Sequence, residues 1–260
     1  MAGLERHGNN IYALLKDADI VCLQETWARK SIALKGYYCY SSPAVKSNLF
    51  GRPSGGLATY VRHDSNVILE KVCGVPTNLQ VFRFKKLSLN GAITPCLLLN
   101  CYLNPQGQTK LREADQLVLY MVSLLMDFPL CETILVGDFN LKSLGEPTSK
   151  TGTAARFQAF LDQFNLKSAK FYWEGLTGEA IPYKTFRDIS LIDYIFCSRA
   201  PLESLSGFMI KPRYVSDHNS LHATFAVRIS RPPNLPCLGD SQALEDCTLV
   251  RRITWRAAFT

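Results

Sequence analysis

Ile134-Leu135-Val136-Gly137-Asp138-Phe139-Asn140 decides how the chain is read. Its apolar opening runs without alternation, as in a strand buried on both faces. The run stops at a glycine, a carboxylate and a carboxamide, so the strand ends by bringing polar groups to the rim of a sheet. The pattern recurs at Gln24-Glu25-Thr26, Ile192-Asp193-Tyr194 and Ser216-Asp217-His218, each beside an apolar, β-branched-rich run. Together these segments offer carboxylates, a carboxamide and an imidazole. Those groups suit hydrolysis of a phosphate ester with the help of a hard divalent cation.

Outward from these rims the chain alternates strand and helix patterns. Residues 10–16 form a short amphipathic helical stretch ahead of the strand Ile20-Val21-Cys22-Leu23. Strands are expected over 56–61, 67–72, 79–89 and 93–102, with Asn90-Gly91 as a hairpin turn between the last two. Leu117, Tyr120, Met121, Leu124 and Leu125 fall at helical spacing in a helix over 111–127, stopped by Phe128-Pro129. A second helix spans 153–164, with Thr153 as its N-cap. Strands follow at 191–197, 207–211 and 220–229. Strand, helix and strand occur in both halves. The expected fold is therefore an α/β sandwich of four layers, two packed mixed sheets flanked by helices. Residues 1–229 form the domain. The Arg231-Pro232-Pro233 exit and the weakly patterned residues after it make 230–260 a linker or tail.

Bulk composition narrows the class further. The chain has 260 residues, of which 47% are hydrophobic, enough for a sizeable core. It contains no apolar run long enough to span a bilayer, and Met1-Ala2-Gly3-Leu4-Glu5-Arg6 lacks the apolar stretch of a signal peptide. An intracellular, monomeric protein is expected, with its nine cysteines mostly buried free thiols. A net charge of +7 favours polyanionic partners, because Lys and Arg contacts release counterions from phosphate.

Each candidate residue has a chemical reason. Glu25, just past its strand, and Asp217 suffice to hold Mg²⁺, which keeps several waters and takes one or two carboxylates. Mn²⁺ is the alternative ion. Asp138 and Asn140, two apart, would face the same way in an extended chain. One would take a proton from water and the other donate to a phosphate oxygen, unless both simply cap a strand-to-loop turn. His218 needs an orienting carboxylate, and Asp193 is the one available. Arg156, Lys184, Arg187 and Arg213 are weaker candidates for phosphate contact.

The segments Gln24-Glu25-Thr26-Trp27, Gly55-Gly56-Leu57-Ala58, Asn100-Cys101-Tyr102, Gly137-Asp138-Phe139-Asn140, Ile192-Asp193-Tyr194 and Ser216-Asp217-His218 resemble, as a set, the endonuclease/exonuclease/phosphatase superfamily. Within it they look most like the abasic-endonuclease-like domain of LINE-type (non-LTR) retrotransposons. The resemblance implies a DNase-like fold and Mg²⁺-dependent nicking of DNA. It makes Glu25 and Asp217 metal ligands and Asp138 the group that positions or deprotonates water. Asn140 and Tyr102 become donors to the phosphate, and His218, held by Asp193, stabilises its developing charge. A nuclear location and a polymerase domain in a longer parent protein go with it. The family opens with a strand carrying an asparagine ligand, and here Gly3-Leu4 stands at the start, so that strand is expected to be missing or truncated. Two alternatives follow: a catalytically impaired nucleic-acid-binding remnant, or a small-molecule or lipid phosphoesterase of the same fold.

Overall fold

The computed structural model describes residues 18–45, 54–65, 67–84, 88–89, 92–93, 95–104, 108–146, 150–181, 190–211, 218–229 and 249–259. Two mixed sheets organise them. The six-stranded sheet is built round β8 (Cys96–Tyr102), whose residues are all buried, and β9 (Glu132–Asp138), which pairs with it in parallel. A parallel pair needs a crossover. Helix α1 (Gln108–Asp127) supplies it, laying Leu117, Met121, Leu124 and Leu125 on the sheet as their spacing predicts. Outward from this centre come β5 (Leu79–Phe84) and β4 (Leu69–Lys71) on one side, and β11 (Asp193–Cys197) and β10 (Lys167–Ser168) on the other.

The eight-stranded sheet gathers distant segments. Its order is β2 (Tyr37–Ser42), β3 (Leu57–Arg62), β1 (Ile20–Gln24), β14 (Leu249–Phe259), β13 (Ser220–Ile229), β6 (Ser88–Leu89) and β7 (Ala92–Ile93), with β12 (Leu205–Lys211) also paired to β13. The run expected as one strand over 79–89 is thus divided. Residues 79–84 join one sheet, while 88–89 pair with 92–93 and with β13 in the other.

Alternation of side chains distributes three cores. Ile20, Cys22, Leu98, Ile134, Val136, Ile195 and Phe225 fill the layer between the sheets. The opposite residues of the six-stranded sheet, including Leu97, Leu99, Leu135 and Phe196, pack under α1 and α2 (Gly152–Gln163). Val21, Leu23, Ala58 and Tyr60 face outward from the eight-stranded sheet, covered among the described residues by Ala28, Ile32 and Leu34. Helix α3 (Ala169–Thr177) sends Tyr172 and Trp173 toward the inter-sheet layer and Phe171 toward the helical side. A short helix α4 (Arg199–Glu203) links β11 to β12.

Several expectations need correction. Residues 249–259, expected within a linker or tail, form β14, parallel to β1 and antiparallel to β13. The N-cap of α2 is Thr151, and Thr153 lies inside the helix, buried. Arg156, considered for phosphate contact, binds Asp115 at 2.7 Å and so ties α2 to α1. The helix expected at 10–16, together with Asn90, Gly91, Lys184, Arg187 and Arg213, lies outside the described residues.

Candidate active site

Strand parity builds the site. Tyr102, Asp138 and Asp193 continue the rows that put Leu98, Val136 and Ile195 in the inter-sheet core. Register aligns them: Tyr102 lies opposite Asp138, and Asp138 opposite Asp193. Three neighbouring strands therefore end in a polar patch where the two sheets meet. Asp138 and Asp193 are fully or nearly fully buried, as is His218 just before β13.

Glycine 137 permits this packing. A Cβ there would stand 1.9 Å from the Cys101 carbonyl oxygen, so only glycine lets β9 approach β8 at the residue before Asp138. Phe139 anchors the next step, burying its ring among Phe157, Phe196 and Tyr194 while its N–H donates to the Ile192 carbonyl at 2.9 Å.

The polar groups engage one another across the sheets. His218 Nδ1 lies 3.0 Å from Asp193 Oδ2, the orienting pair that the sequence suggests. The Tyr102 hydroxyl donates to the Glu25 carboxylate. Asp138 Oδ1 accepts the Asn140 N–H at 2.9 Å, so the turn-capping role and the rim position coexist in one residue. β9 ends at Asp138 and Asn140 has φ +48°, so the two do not share an extended strand, yet the Asn140 side chain reaches the Asp138 carboxyl. The Asn140 carboxamide also donates to the Leu103 carbonyl at 2.7 Å. Asp217 lies outside the described residues.

A buried carboxamide network supports this patch from below. Gln24 donates to Asn100, and Asn100 donates to Gln80 and Thr59 at 3.1 and 3.3 Å. Gln80 reaches on to the Tyr40 carbonyl at 3.1 Å. Gln24 precedes Glu25, and Asn100 stands two before Tyr102, so the network joins the backbones that carry the Glu25–Tyr102 pair. The Gly55-Gly56 segment closes the same corner: Thr26 and Trp27 N–H groups donate to the Gly56 and Gly55 carbonyls at 3.2 and 3.0 Å. Glu25 and Trp27 adopt φ values of +52° and +49°, conformations that side chains other than glycine occupy at a cost and that gather at functional sites. Sequence reasoning singled out the rim residues but missed Gln80 and Thr59. Their only local signal is polarity inside an apolar strand.

Electrostatics set the character of the patch. Burial, then the Asp193 charge, push the Asp138 carboxyl well above its ordinary range; the Asn140 N–H opposes this and the Glu25 charge adds to it. Like charges directly opposite on paired strands are destabilising, and a cation would relieve them. Asp138, Asp193 and His218 each offer a ligand atom, all within 4.8 Å of one another. The carboxylates fit a hard divalent cation, whereas the imidazole nitrogen facing them is already engaged by Asp193. Glu25, expected as a ligand, stands beside this cluster but is not one of its three members.

The chain matches the Endonuclease/Exonuclease/phosphatase family over residues 2–218 and belongs to it. No curated protein sequence matches it. Among solved structures it resembles the AP endonuclease LMAP from Leishmania major, at 17% identity over 84% of this chain and 83% of that one, with a TM-score of 0.64. The 3′ phosphatase NExo from Neisseria, bound to a product DNA hairpin, is similar at 19% identity over 86% and 96%, TM-score 0.61. The endonuclease domain of TRAS1, a telomere-specific non-LTR retrotransposon, is similar at 17% identity over 82% and 88%, TM-score 0.55. These likenesses establish the DNase-like fold. Among the described residues no helix is long and apolar enough to cross a membrane.

Proposed function

We propose that the chain is a Mg²⁺-dependent phosphodiester hydrolase that nicks DNA, related to the endonucleases of non-LTR retrotransposons and acting as a monomer. The observation that carries the reading is the buried Asp138–Asp193–His218 cluster, beside Glu25, at the rim of both sheets. The net charge of +7 suits a polyanionic substrate. A nuclear site of action and a polymerase domain in a longer parent protein belong to the same proposal.

Bound at the carboxylates, with Glu25 and Asp217 as ligands, the cation would neutralise charge on the phosphate and the leaving oxygen. The chain's own residues do the rest. Asp138 takes a proton from the attacking water. The Asn140 N–H on its Oδ1 fixes that carboxylate at the rim to receive it. The new oxygen–phosphorus bond forms in line with the ester bond that breaks. His218, oriented by Asp193, presents its other ring nitrogen to the charge developing on phosphate. Asn140, whose carboxamide donates to Leu103 and also reaches the Asp138 carboxyl, is the donor to a phosphate oxygen at the rim. Tyr102, bonded to Glu25, holds that carboxylate at the rim.

The test is nicking of supercoiled plasmid by purified protein with Mg²⁺, with EDTA, and with Asp138→Ala. Nicking that needs the metal and disappears in the variant supports the reading. DNA binding without nicking, or hydrolysis of an inositol phosphate or sphingolipid in its place, overturns it.

A further inference from the structure

A cavity of about 650 Å³ adjoins the candidate active site, within the range of pockets that bury small organic ligands. Its connection to the site is direct. Tyr102, which lines it, donates its hydroxyl to Glu25. Asn104, also on its wall, follows Leu103, whose N–H bonds the Asp138 carbonyl at 2.9 Å and whose carbonyl accepts from Asn140. Gly55 and Gly56, which also line it, present the carbonyls that hold Trp27 and Thr26. Gly55 packs beside the Tyr102 ring, whose nearest atom would be 3.9 Å from a Cβ there.

The lining does not suit a phosphate. In a chain of net charge +7, the described lining residues include no Lys or Arg and one carboxylate, Glu113. It does suit a flat, uncharged, hydrogen-bonding group. Tyr102 and Tyr120 offer rings, and Asn78, Asn104 and Gln116 offer carboxamides, which both donate and accept and so can pair with the edge of a heteroaromatic base. We infer that this cavity receives one nucleobase of the substrate strand, that of a nucleotide flanking the scissile phosphate. The inference rests on the proposed action on DNA and adds a base-reading subsite to it. Phosphate goes to the rim cluster and the base to the cavity, with Tyr102 as the wall between them.

The test uses the full chain and two variants on its walls: Gln116→Trp, which fills the cavity from an exposed helix position, and Asn78→Ala. Backbone amide shifts are followed by NMR during titration with deoxyadenosine, thymidine and, as control, deoxyribose 5-phosphate. The nucleosides are expected to shift amides of 54–57, 77–78 and 102–104. Gln116→Trp should abolish these shifts, and Asn78→Ala should weaken Kd by about fivefold or more. Nucleosides that leave those amides unmoved overturn the inference, as does a sugar phosphate that moves them equally. A second arm measures nicking of duplexes carrying one abasic residue at successive flanking positions. Wild-type kcat/KM should fall about fivefold or more at a single position, and Gln116→Trp should show no such position. Nicking indifferent to base removal at every position also overturns it. If nucleosides bind in the cavity while no duplex is cut, the nuclease reading fails and the base-binding assignment stands.

Discussion

The two sheets contribute to one site on different terms. The six-stranded sheet brings Tyr102, Asp138 and Asp193 from three adjacent strands in fixed register, packed on one face by the inter-sheet core and on the other by α1 and α2. The eight-stranded sheet brings Glu25 and His218 from strands that do not touch each other, because β14 lies between β1 and β13. One side of the site is a rigid ledge. The other is assembled from remote pieces and kept in place by Gln24, Asn100 and the Gly55-Gly56 corner. The difference suggests that the six-stranded sheet holds the reacting groups, and that the eight-stranded sheet sets how well they are met.

The strongest challenge to this contrast is steric. Gly137→Ala has no room against the Cys101 carbonyl and should cost more than about 4 kcal/mol, read as loss of cooperative urea unfolding. Gly56→Ala in the other sheet meets the Thr26 hydroxyl at 2.6 Å, a group that can rotate away, and the Ala44 backbone nitrogen only at 3.1 Å, and should cost less than a 1.9 Å backbone clash despite its φ of +88°. If Gly56→Ala were the more damaging, the ledge would belong to the wrong sheet.

Asp138→Asn should lower nicking by roughly 10²–10⁴-fold while strengthening the fold. The native Asp138 takes up its proton more readily than the unfolded chain does, since its value is raised above 3.8. Wild-type stability is therefore greatest below that value and falls as pH rises through the native one. Urea midpoints in EDTA should show the variant more stable near neutral pH, with the advantage gone below pH 3.8. A variant destabilised at neutral pH would refute the electrostatic account.

Gln24→Leu removes the donor to Asn100 and leaves a buried acceptor unpaired, at a cost of about 1–3 kcal/mol in urea unfolding. Its effect on kcat/KM should exceed that of Arg156→Ala, which breaks an exposed pair between the two helices on the outer face of the six-stranded sheet. That substitution should cost at most about 1 kcal/mol.

Much of this was legible because the chemistry sits at strand ends. Asp138 and His218 stand next to apolar runs whose burial is easily read, and pairing His218 with Asp193 follows from what an imidazole requires. The facing of Asp138 and Asp193 was not legible, since it comes from the register of β9 against β11 and not from either strand alone. Helix α3 escaped notice because Phe171-Tyr172-Trp173 has strand-like propensity, and packing to both sides overrides it. Strand β2 is only partly buried along most of its length and shows no two-residue alternation. Strand β14 carries a short alternation in Ile253-Thr254-Trp255-Arg256-Ala257, but nothing local says that its partners are β1 and β13.

That last strand bears on how the protein is made. Ile20 faces Trp255, and Leu221 faces Ala257, in one continuous sheet. A ribosome delivers Ile20 long before Trp255, so β1 waits with an open edge through most of synthesis. The six-stranded sheet, whose strands all lie between Leu69 and Cys197, can close in the meantime. The Glu25 side of the site is then completed last, when residues 255–259 slot in beside β1. Until that moment the chain holds a nearly finished half-site and a sticky, unpaired strand, the stage at which a chaperone would matter most.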